Sequence, residues 1–314
     1  MNVKEMTEEY ISYRRSIGEK FVSQATMLRA FAKHVGEGEP AGSIDGDLCT
    51  SFLYGKDGKV TASWFLRYSA LKWLFDWAVV RKYMQSVPLK MEKPKQLEHI
   101  RPYVYSREEL KKLFDAAMSY QKNRSSTPPE CVQMVLKVTY CLGLRIHETM
   151  SLKLADIDMA GLCVTIRDSK FHKTRIVPFN KPFADILHAF MEWRKLQGYS
   201  CLDDSPLFPD KRGRPLNVET MRQSFKRIRD CAGIRRDDGA IYQPRLHDLR
   251  HSFAVHRLTA WYREGKDVQK LVSHLSTYLG HDKVSHTSVY LSMTDSLLEE
   301  ANKRFELYHN EGKT

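Results

Sequence analysis

The 314-residue sequence lacks any uninterrupted apolar run approaching the ~18 residues that a membrane-spanning helix needs. Its first residues, MNVKEMTEEYISYRR, are charged from Lys4 onward and contain no apolar segment typical of a secretion signal. The sequence therefore predicts a protein that is neither secreted nor inserted in a membrane. We expect it to work in the cytoplasm.

Closely spaced cysteines are missing as well. The six cysteines are scattered along the chain, without the short pairs that bind zinc or exchange disulfides. We interpret them as buried thiols in a reducing compartment. The sequence also lacks the G-x-x-x-x-G-K-[ST] loop that cradles nucleotide phosphates. We therefore expect no cofactor.

Positive charge is what the sequence has in excess. Lysine and arginine number 50 against 38 acidic residues, which gives a net charge of +12 and a pI near 9.3. Such a balance favours a polyanionic partner, nucleic acid before a membrane surface. A merely basic soluble protein is the alternative that charge alone leaves open.

The length suits two domains, because single cores usually stop growing at roughly 150 to 250 residues. The stretch PLKMEKPKQLEHIRP, from Pro88 to Pro102, is rich in proline and charge and has no apolar period. We predict a helical domain at 1–90, a linker at 91–103 and a second domain at 104–314.

Helical periodicity dominates the first domain, near 5–35 and 61–84. In the second segment, apolar residues recur at steps of three and four behind a possible cap at Thr61, and we assign them to the core: Trp64, Tyr68, Leu71, Phe75 and Ala78. The opposite face carries Arg67, Lys72, Arg81 and Lys82. This face either follows a DNA backbone or is an ordinary solvated surface.

The second domain is predicted to be mainly α-helical with one small antiparallel β-sheet. Ser106 and Glu109 have the spacing of a capping box, which starts a helix at about 107. The segment LCVTIRDSKFHKTRIVPF alternates like a β-hairpin. Further helices are predicted at 129–143, 182–197, 217–232 and 247–264.

Four separated segments combine unusual polar residues with apolar helix starts. They are GLRIHE at 143–148, SKFHKTR at 169–175, LHDLRH at 246–251 and LGHDKVSHTSVY at 279–290. Each segment alone is weak evidence for a catalytic site. A single arginine is usually a surface residue, a lysine in a hairpin is usually solvated, and a tyrosine on a short helix usually packs against the core.

In this order, however, the segments resemble the tyrosine recombinase (phage integrase) family. That family has an arginine in G-L-R-x-x-E, a lysine in a β-hairpin, H-x-x-R, L-G-H, and a tyrosine nine residues after the last histidine. The matching residues are Arg145 with Glu148, Lys170, His247 with Arg250, His281, and Tyr290. Lys170 is preferred to Lys173 because the family's catalytic lysine is the first of its turn.

The resemblance implies a site-specific DNA recombinase of the integrase or transposase type. Tyr290 would attack a DNA phosphate to form a 3′-phosphotyrosyl intermediate while Arg145 and Arg250 hold that phosphate. His281 would be a further phosphate donor, His247 would assist proton movement at the tyrosine, and Lys170 would protonate the leaving 5′ oxygen.

The chemistry of phosphodiester cleavage supports these roles independently of the resemblance. A tyrosine hydroxyl titrates near ~10, so forming the phenolate at pH 7 costs roughly 4 kcal/mol, which positive neighbours must offset. Planar arginines give paired hydrogen bonds to phosphate oxygens. The phosphotyrosyl ester conserves the energy of the broken phosphodiester bond. Religation therefore needs neither metal nor nucleotide.

The resemblance also implies a two-domain clamp, with a helical core-binding domain on one side of double-stranded DNA. Two protomers would occupy each duplex, and a homotetramer would form across two duplexes around a four-way junction. The tail beyond Tyr290 has apolar positions at helical spacing, Leu297, Leu298, Ala301 and Phe305, behind Thr294. Such a tail either docks on a neighbouring protomer or folds back on its own domain. Accessory or directionality proteins are further possible partners.

Two features depart from the family pattern. The stretch between Arg250 and His281 is several residues longer than usual, and His147 stands where a small residue is common. Neither departure removes a catalytic residue type.

Three alternatives remain open at this point. His247, Asp248 and His251, with His281 and His286, could in principle bind a metal, although Arg250 would place positive charge beside the ion. A type IB topoisomerase uses similar chemistry to relax supercoils. A binding-only DNA accessory protein would not need the catalytic set. The target sequence and the biological task, such as integration or excision, are not encoded in these motifs.

Overall fold

The computed structural model describes residues 1–55, 58–89, 94, 102–121, 125–167, 174–240 and 242–292, without the side chains of residues 286 and 292. The chain divides into two compact units, Met1–His99 and Ile100–Thr314. The predicted tail helix and most of the predicted linker at 91–103 lie outside the described residues. Among the described residues, no helix is both long enough and apolar enough to cross a membrane.

The first unit is helical. Its helices are α1 (Val3–Ser16), α2 (Val22–Val35), α3 (Gly46–Tyr54) and α4 (Ala62–Val80). Thr61 caps α4, since its Oγ1 accepts a hydrogen bond from the Trp64 backbone N–H at 3.3 Å. The predicted aromatic stripe of α4 packs in the core, with Trp64 and Phe75 fully buried.

The second unit begins with a capping box. The Glu109 N–H donates to Ser106 Oγ at 3.1 Å, and the Ser106 N–H donates to Glu109 Oε2 at 2.8 Å. The helices that follow are α5 (Arg107–Ser119), α6 (Pro129–Cys141), α7 (Ile146–Met150), α8 (Lys181–Leu196), α9 (Val218–Cys231), α10 (Asp248–Arg263), α11 (Val268–Leu279) and α12 (Ser285–Ser288). A short 3-10 helix, Val289–Ser292, follows α12.

A three-stranded antiparallel sheet lies between α7 and α8 in the chain, in the order β1 (Ile157–Asp158), β2 (Cys163–Ile166), β3 (Arg175–Pro178). In β2 and β3, Val164 pairs with Val177, and Ile166 pairs with Arg175. Alternate side chains of a strand face opposite sides. Val164, Ile166 and Val177 are accordingly buried, whereas Ile176 is 65% exposed.

The predicted fold class is confirmed, because the described chain is mostly helical with one small antiparallel sheet. The predicted helices agree with the observed ones to within a few residues. The segment at 5–35 forms two helices, α1 and α2, separated at Ile17–Phe21, where Gly18 and Phe21 have positive φ. Helices α3 and α11 and the short strand β1 have no counterpart among the predicted elements.

Candidate active site

The turn between α6 and α7 sets the first arginine in place. Gly143 has φ +59°, and a Cβ on it would lie 2.4 Å from Cδ1 of Phe253, so only glycine fits without displacing that ring. Its carbonyl accepts a hydrogen bond from Arg250 Nη1 at 2.8 Å. Two residues later, Arg145 is the N-cap residue of α7.

The C-terminus of α11 gathers three arginines. The last carbonyls of a helix lack intrahelical partners and carry partial negative charge. Three consecutive carbonyls at this end each accept from a different guanidinium: Tyr278 O from Arg175 Nε at 3.0 Å, Leu279 O from Arg250 Nη2 at 2.5 Å, and Gly280 O from Arg145 Nη2 at 2.8 Å. The helix end therefore orients all three side chains.

Glu148 neutralises this cluster from the opposite side. Arg175 donates to both of its oxygens, at 3.0 and 2.8 Å, and Arg145 donates through Nη1 and its backbone N–H, both at 2.9 Å. Arg250 Nη1 lies 3.9 Å from Glu148 Oε2. Burial by itself would raise the pKa of Glu148, which is 7% exposed, but the bonds from Arg175 and Arg145 lower it to about 2. The carboxylate is therefore charged at neutral pH.

Arg250 is the most enclosed member of the cluster, with 1% of its surface exposed. Burial, followed by the charge of Arg145, lowers the pKa of Arg250 to about 10. It nevertheless remains protonated at pH 7. Two carbonyl bonds and nearby Glu148 compensate for the desolvation of its charge.

Tyr290, in the last 3-10 helix, is 3% exposed and lies against the same cluster. Burial raises the pKa of its hydroxyl above 10, while the charges of Arg250 and Arg145 and a hydrogen bond with Arg250 oppose that rise. A second hydrogen bond, 2.9 Å long, joins the hydroxyl to Nδ1 of His251. The nucleophile candidate is thus within reach of both predicted phosphate-binding arginines.

His281 is held next to the tyrosine by the end of α11. Gly280 has a left-handed conformation, and the His281 N–H donates to Ser276 O at 3.0 Å. His281 Nδ1 lies 2.7 Å from Oγ1 of the buried Thr287, which orients the ring. The His281 and Tyr290 rings are stacked, with centroids 6.2 Å apart.

His247 is the N-cap residue of α10 and is exposed. Its ring makes an edge contact with His251, with centroids 4.7 Å apart. The structure thus brings five of the six predicted site residues into one cluster, namely Arg145, His247, Arg250, His281 and Tyr290. Lys170, like Lys173, lies outside the described residues, in the part of the sequence that connects β2 to β3.

Arg175 is a site residue that was not predicted from the sequence, and His251 was considered there only as a ligand in the metal alternative. Arg175 had a detectable signal, because the alternation of β3 places it on the same side as buried Val177 and opposite exposed Ile176. An arginine on the inner face of a strand needs a carboxylate partner. Glu148 is that partner.

The residues of the metal alternative are engaged otherwise. Asp248 accepts from the Arg245 backbone N–H at 2.7 Å and from Arg245 Nη2 at 3.0 Å, and His251 is bonded to Tyr290. Within the described part of the chain, no group of three or more histidine, cysteine, aspartate or glutamate residues is arranged to hold a metal ion. The His286 side chain is not among those described.

Residues 104–296 match the Phage integrase family. The chain belongs to this family. A relative in Sinorhizobium fredii, named "Putative integrase/recombinase y4rB", is 30% identical over 96% of each chain. The tyrosine recombinase XerA of Thermococcus kodakarensis is 28% identical over 68% of this integrase-family chain and 67% of its own.

The fold is also shared with solved structures. A lambda integrase tetramer bound to a Holliday junction superposes on this integrase-family chain with a TM-score of 0.67 at 17% identity, covering 94% of this chain and 78% of the other. At that identity the likeness shows the fold.

Proposed function

We propose that this member of the phage integrase family is a site-specific DNA recombinase that cuts and rejoins DNA through a 3′-phosphotyrosyl intermediate. The observation that carries the proposal is the placement of the Tyr290 hydroxyl beside the arginine cluster of Arg250 and Arg145. Its relatives are named integrases, recombinases and tyrosine recombinases. This agreement between geometry and family favours recombination over relaxation or binding alone.

In the proposed reaction, Arg145 and Arg250 bind the non-bridging oxygens of the scissile phosphate. The Arg145 side chain is 27% exposed, so DNA can reach it while Glu148 and the Gly280 carbonyl keep its orientation. Donors that are oriented in advance stabilise the charge that grows on the phosphate, and losing one typically lowers the rate on the order of 100- to 1000-fold. His281 would contribute a further donor.

Tyr290 Oη forms the bond to phosphorus as the bond to the 5′ oxygen breaks. We assign protonation of that oxygen to Lys170, on the basis of the family pattern, and assistance of proton movement at the tyrosine to His247, whose ring contacts that of His251. The chain itself then supplies nucleophile, phosphate donors and acid, so we expect the reaction to need neither a metal ion nor ATP.

We propose that the two units act together as a clamp on double-stranded DNA, with residues 1–90 as the core-binding domain and residues 104–314 as the catalytic domain. The net charge of +12 supports a DNA partner. The lambda integrase tetramer on a Holliday junction supports a tetrameric assembly. We further propose that the C-terminal tail links protomers, that accessory proteins direct the reaction, and that it takes place in the cytoplasm, where bacterial DNA lies.

The proposal is tested by capturing the covalent intermediate. Wild-type protein and Tyr290→Phe would be incubated with genomic DNA of the source organism in the presence of chelator, and denaturing gels would then reveal protein joined to DNA. We expect an adduct with wild-type protein and none with Tyr290→Phe, which should still bind DNA. An adduct of unchanged yield in Tyr290→Phe would contradict the assignment of the nucleophile.

A further inference from the structure

The Tyr290 hydroxyl has a direct partner that the catalytic motif leaves without a role. His251 follows Arg250 on α10, and its Nδ1 lies 2.9 Å from Tyr290 Oη. The two ring centroids are 5.5 Å apart. This contact joins residues 39 positions apart in the chain, so it belongs to the tertiary arrangement of the site.

The environment of His251 keeps its imidazole neutral in the free protein. Burial of the ring has the largest effect on the pKa of His251. The positive or titratable groups that face the ring have smaller effects: His247 and Arg245 at the start of α10, Arg250 on α10, and His281 after α11. Together they lower the pKa of His251 to about 3. A neutral imidazole has one ring nitrogen that accepts a hydrogen bond and can take up a proton.

We propose that His251 is the general base for Tyr290, accepting the phenolic proton on Nδ1 as Oη bonds to phosphorus. This inference rests on the proposed recombinase reaction. In cleavage, the O–H bond of Tyr290 breaks, the Oη–P bond forms, the bond from phosphorus to the 5′ oxygen breaks, and that oxygen receives its own proton from the acid. In religation, a 5′ hydroxyl attacks phosphorus and gives its proton back to the group that acted as the acid, the bond from phosphorus to Tyr290 Oη breaks, and His251 returns its proton to the departing tyrosine.

DNA binding itself makes His251 a better base. The scissile phosphate brings negative charge next to the site and offsets the charges of Arg145 and Arg250. A negative neighbour favours the protonated form of a histidine, so the pKa of His251 rises when the substrate is in place. The base is therefore weak in the free protein and strengthened in the complex in which it acts.

His247 has a place in this arrangement as a positioning residue. Its ring contacts the His251 ring edge-on at 4.7 Å, whereas the hydrogen bond of the tyrosine goes to His251. We assign to His247 the orientation of the His251 ring for this proton transfer.

Two variants separate a base from a packing residue. His251→Phe keeps a ring of similar shape between His247 and Tyr290 but has no acceptor. His251→Asn keeps an acceptor near the position of Nδ1 but cannot take up a proton. The matched control is His256→Asn, because His256 lies on the same helix and its Nδ1 is 2.9 Å from another tyrosine hydroxyl, that of Tyr140.

Cleavage would be measured under single-turnover conditions on a nicked duplex that carries the site mapped by adduct formation. We expect both His251 variants to form the adduct about 100-fold more slowly than wild type, the lower end for loss of a general base. The wild-type rate should fall on the acid side as His251 becomes protonated, and both variants should lose that dependence. His256→Asn should keep the wild-type rate and pH profile, and thermal melting would verify that His251→Phe is folded.

The outcomes are distinguishable. If His251→Asn cleaves at the wild-type rate, an acceptor suffices and the base assignment is overturned. If both variants cleave normally with an unchanged pH profile, His251 has no part in the chemistry, while the adduct still supports the recombinase. If wild-type protein forms no adduct on the genomic DNA, the proposed function fails, and this inference fails with it.

Discussion

Replacing Glu148 by glutamine tests whether one buried carboxylate holds the arginine cluster together. The substitution keeps the size of the side chain but removes the charge that faces Arg145, Arg175 and Arg250. Glutamine can accept on one oxygen only, and its amide nitrogen would face guanidinium donors. We expect Glu148→Gln to fold less stably and to orient the arginines less well.

The size of the loss follows from the pKa of Glu148. A tenfold change in proton affinity corresponds to about 1.4 kcal/mol, so lowering the pKa from 4.5 to about 2 corresponds to about 3 kcal/mol of stabilisation. Breaking a buried ion pair by removing one partner costs about 3 to 5 kcal/mol. Both routes lead to an expected loss of about 3 kcal/mol, a large part of the roughly 5 to 15 kcal/mol that stabilises a domain.

The assay is urea unfolding at pH 7 of the full chain, followed by tryptophan fluorescence, to which Trp193 and Trp261 of the second unit contribute. The control is Asp185→Asn, since Asp185 is exposed and lies 3.7 Å from the exposed Lys181. We expect the control to change the unfolding free energy by less than about 0.5 kcal/mol. A loss below about 1 kcal/mol in Glu148→Gln would show that the carboxylate does not hold the arginine cluster together.

The pH dependence provides a second check of the same variant. Because the pKa of Glu148 is lower in the folded chain than in the unfolded one, its stabilising contribution is complete above about pH 4.5 and is lost as the pH falls toward 2. Wild-type protein should therefore lose stability through this range. Glu148→Gln should lack that part of the loss, so the two unfolding free energies should converge in acid.

Three further predictions concern other residues of the second unit. Gly143→Ala should destabilise the second unit by about 1 to 3 kcal/mol in thermal melting, because its Cβ would clash with the Phe253 ring at positive φ. Arg175→Lys should bind DNA normally but form adduct more slowly, since a lysine cannot bond both Glu148 oxygens in the planar paired geometry; unchanged rates would argue against a positioning role. Lys170→Ala should cleave ordinary DNA poorly and recover on DNA with sulfur at the bridging 5′ position, because a thiolate leaves without an acid. Lys173→Ala should need no such rescue.

Much of the fold follows from local sequence. The Ser106 and Glu109 capping box starts α5 where its spacing predicts, and the stripe of α4 is buried as its period predicts. Both signals act over one or two helical turns. The break between α1 and α2 was not predicted, because a single apolar period over 5–35 hides the left-handed residues at Gly18 and Phe21.

The candidate site, like the fold, could be predicted from the sequence only in part. The order and spacing of the motifs resemble the family pattern closely enough to predict Arg145, His247, Arg250, His281 and Tyr290 as site residues, and phosphoryl transfer has a use for each of those side-chain types. The hydrogen-bond partners of the arginines at the site could not be predicted from the sequence, because they lie far away along the chain. Arg145 donates to Gly280 and Arg175 to Tyr278, across 135 and 103 positions of the chain.

The amino-acid sequence thus predicts which residues carry the chemistry, through the family pattern that they match, and where most helices of the second unit begin. Only the folded chain shows that the C-terminus of α11 and Glu148 together orient three arginines, and that His251 contacts the Tyr290 hydroxyl. The physical reason is that a backbone carbonyl is the same group at every position. Only the path of the folded chain determines which carbonyls end unpaired beside which side chains.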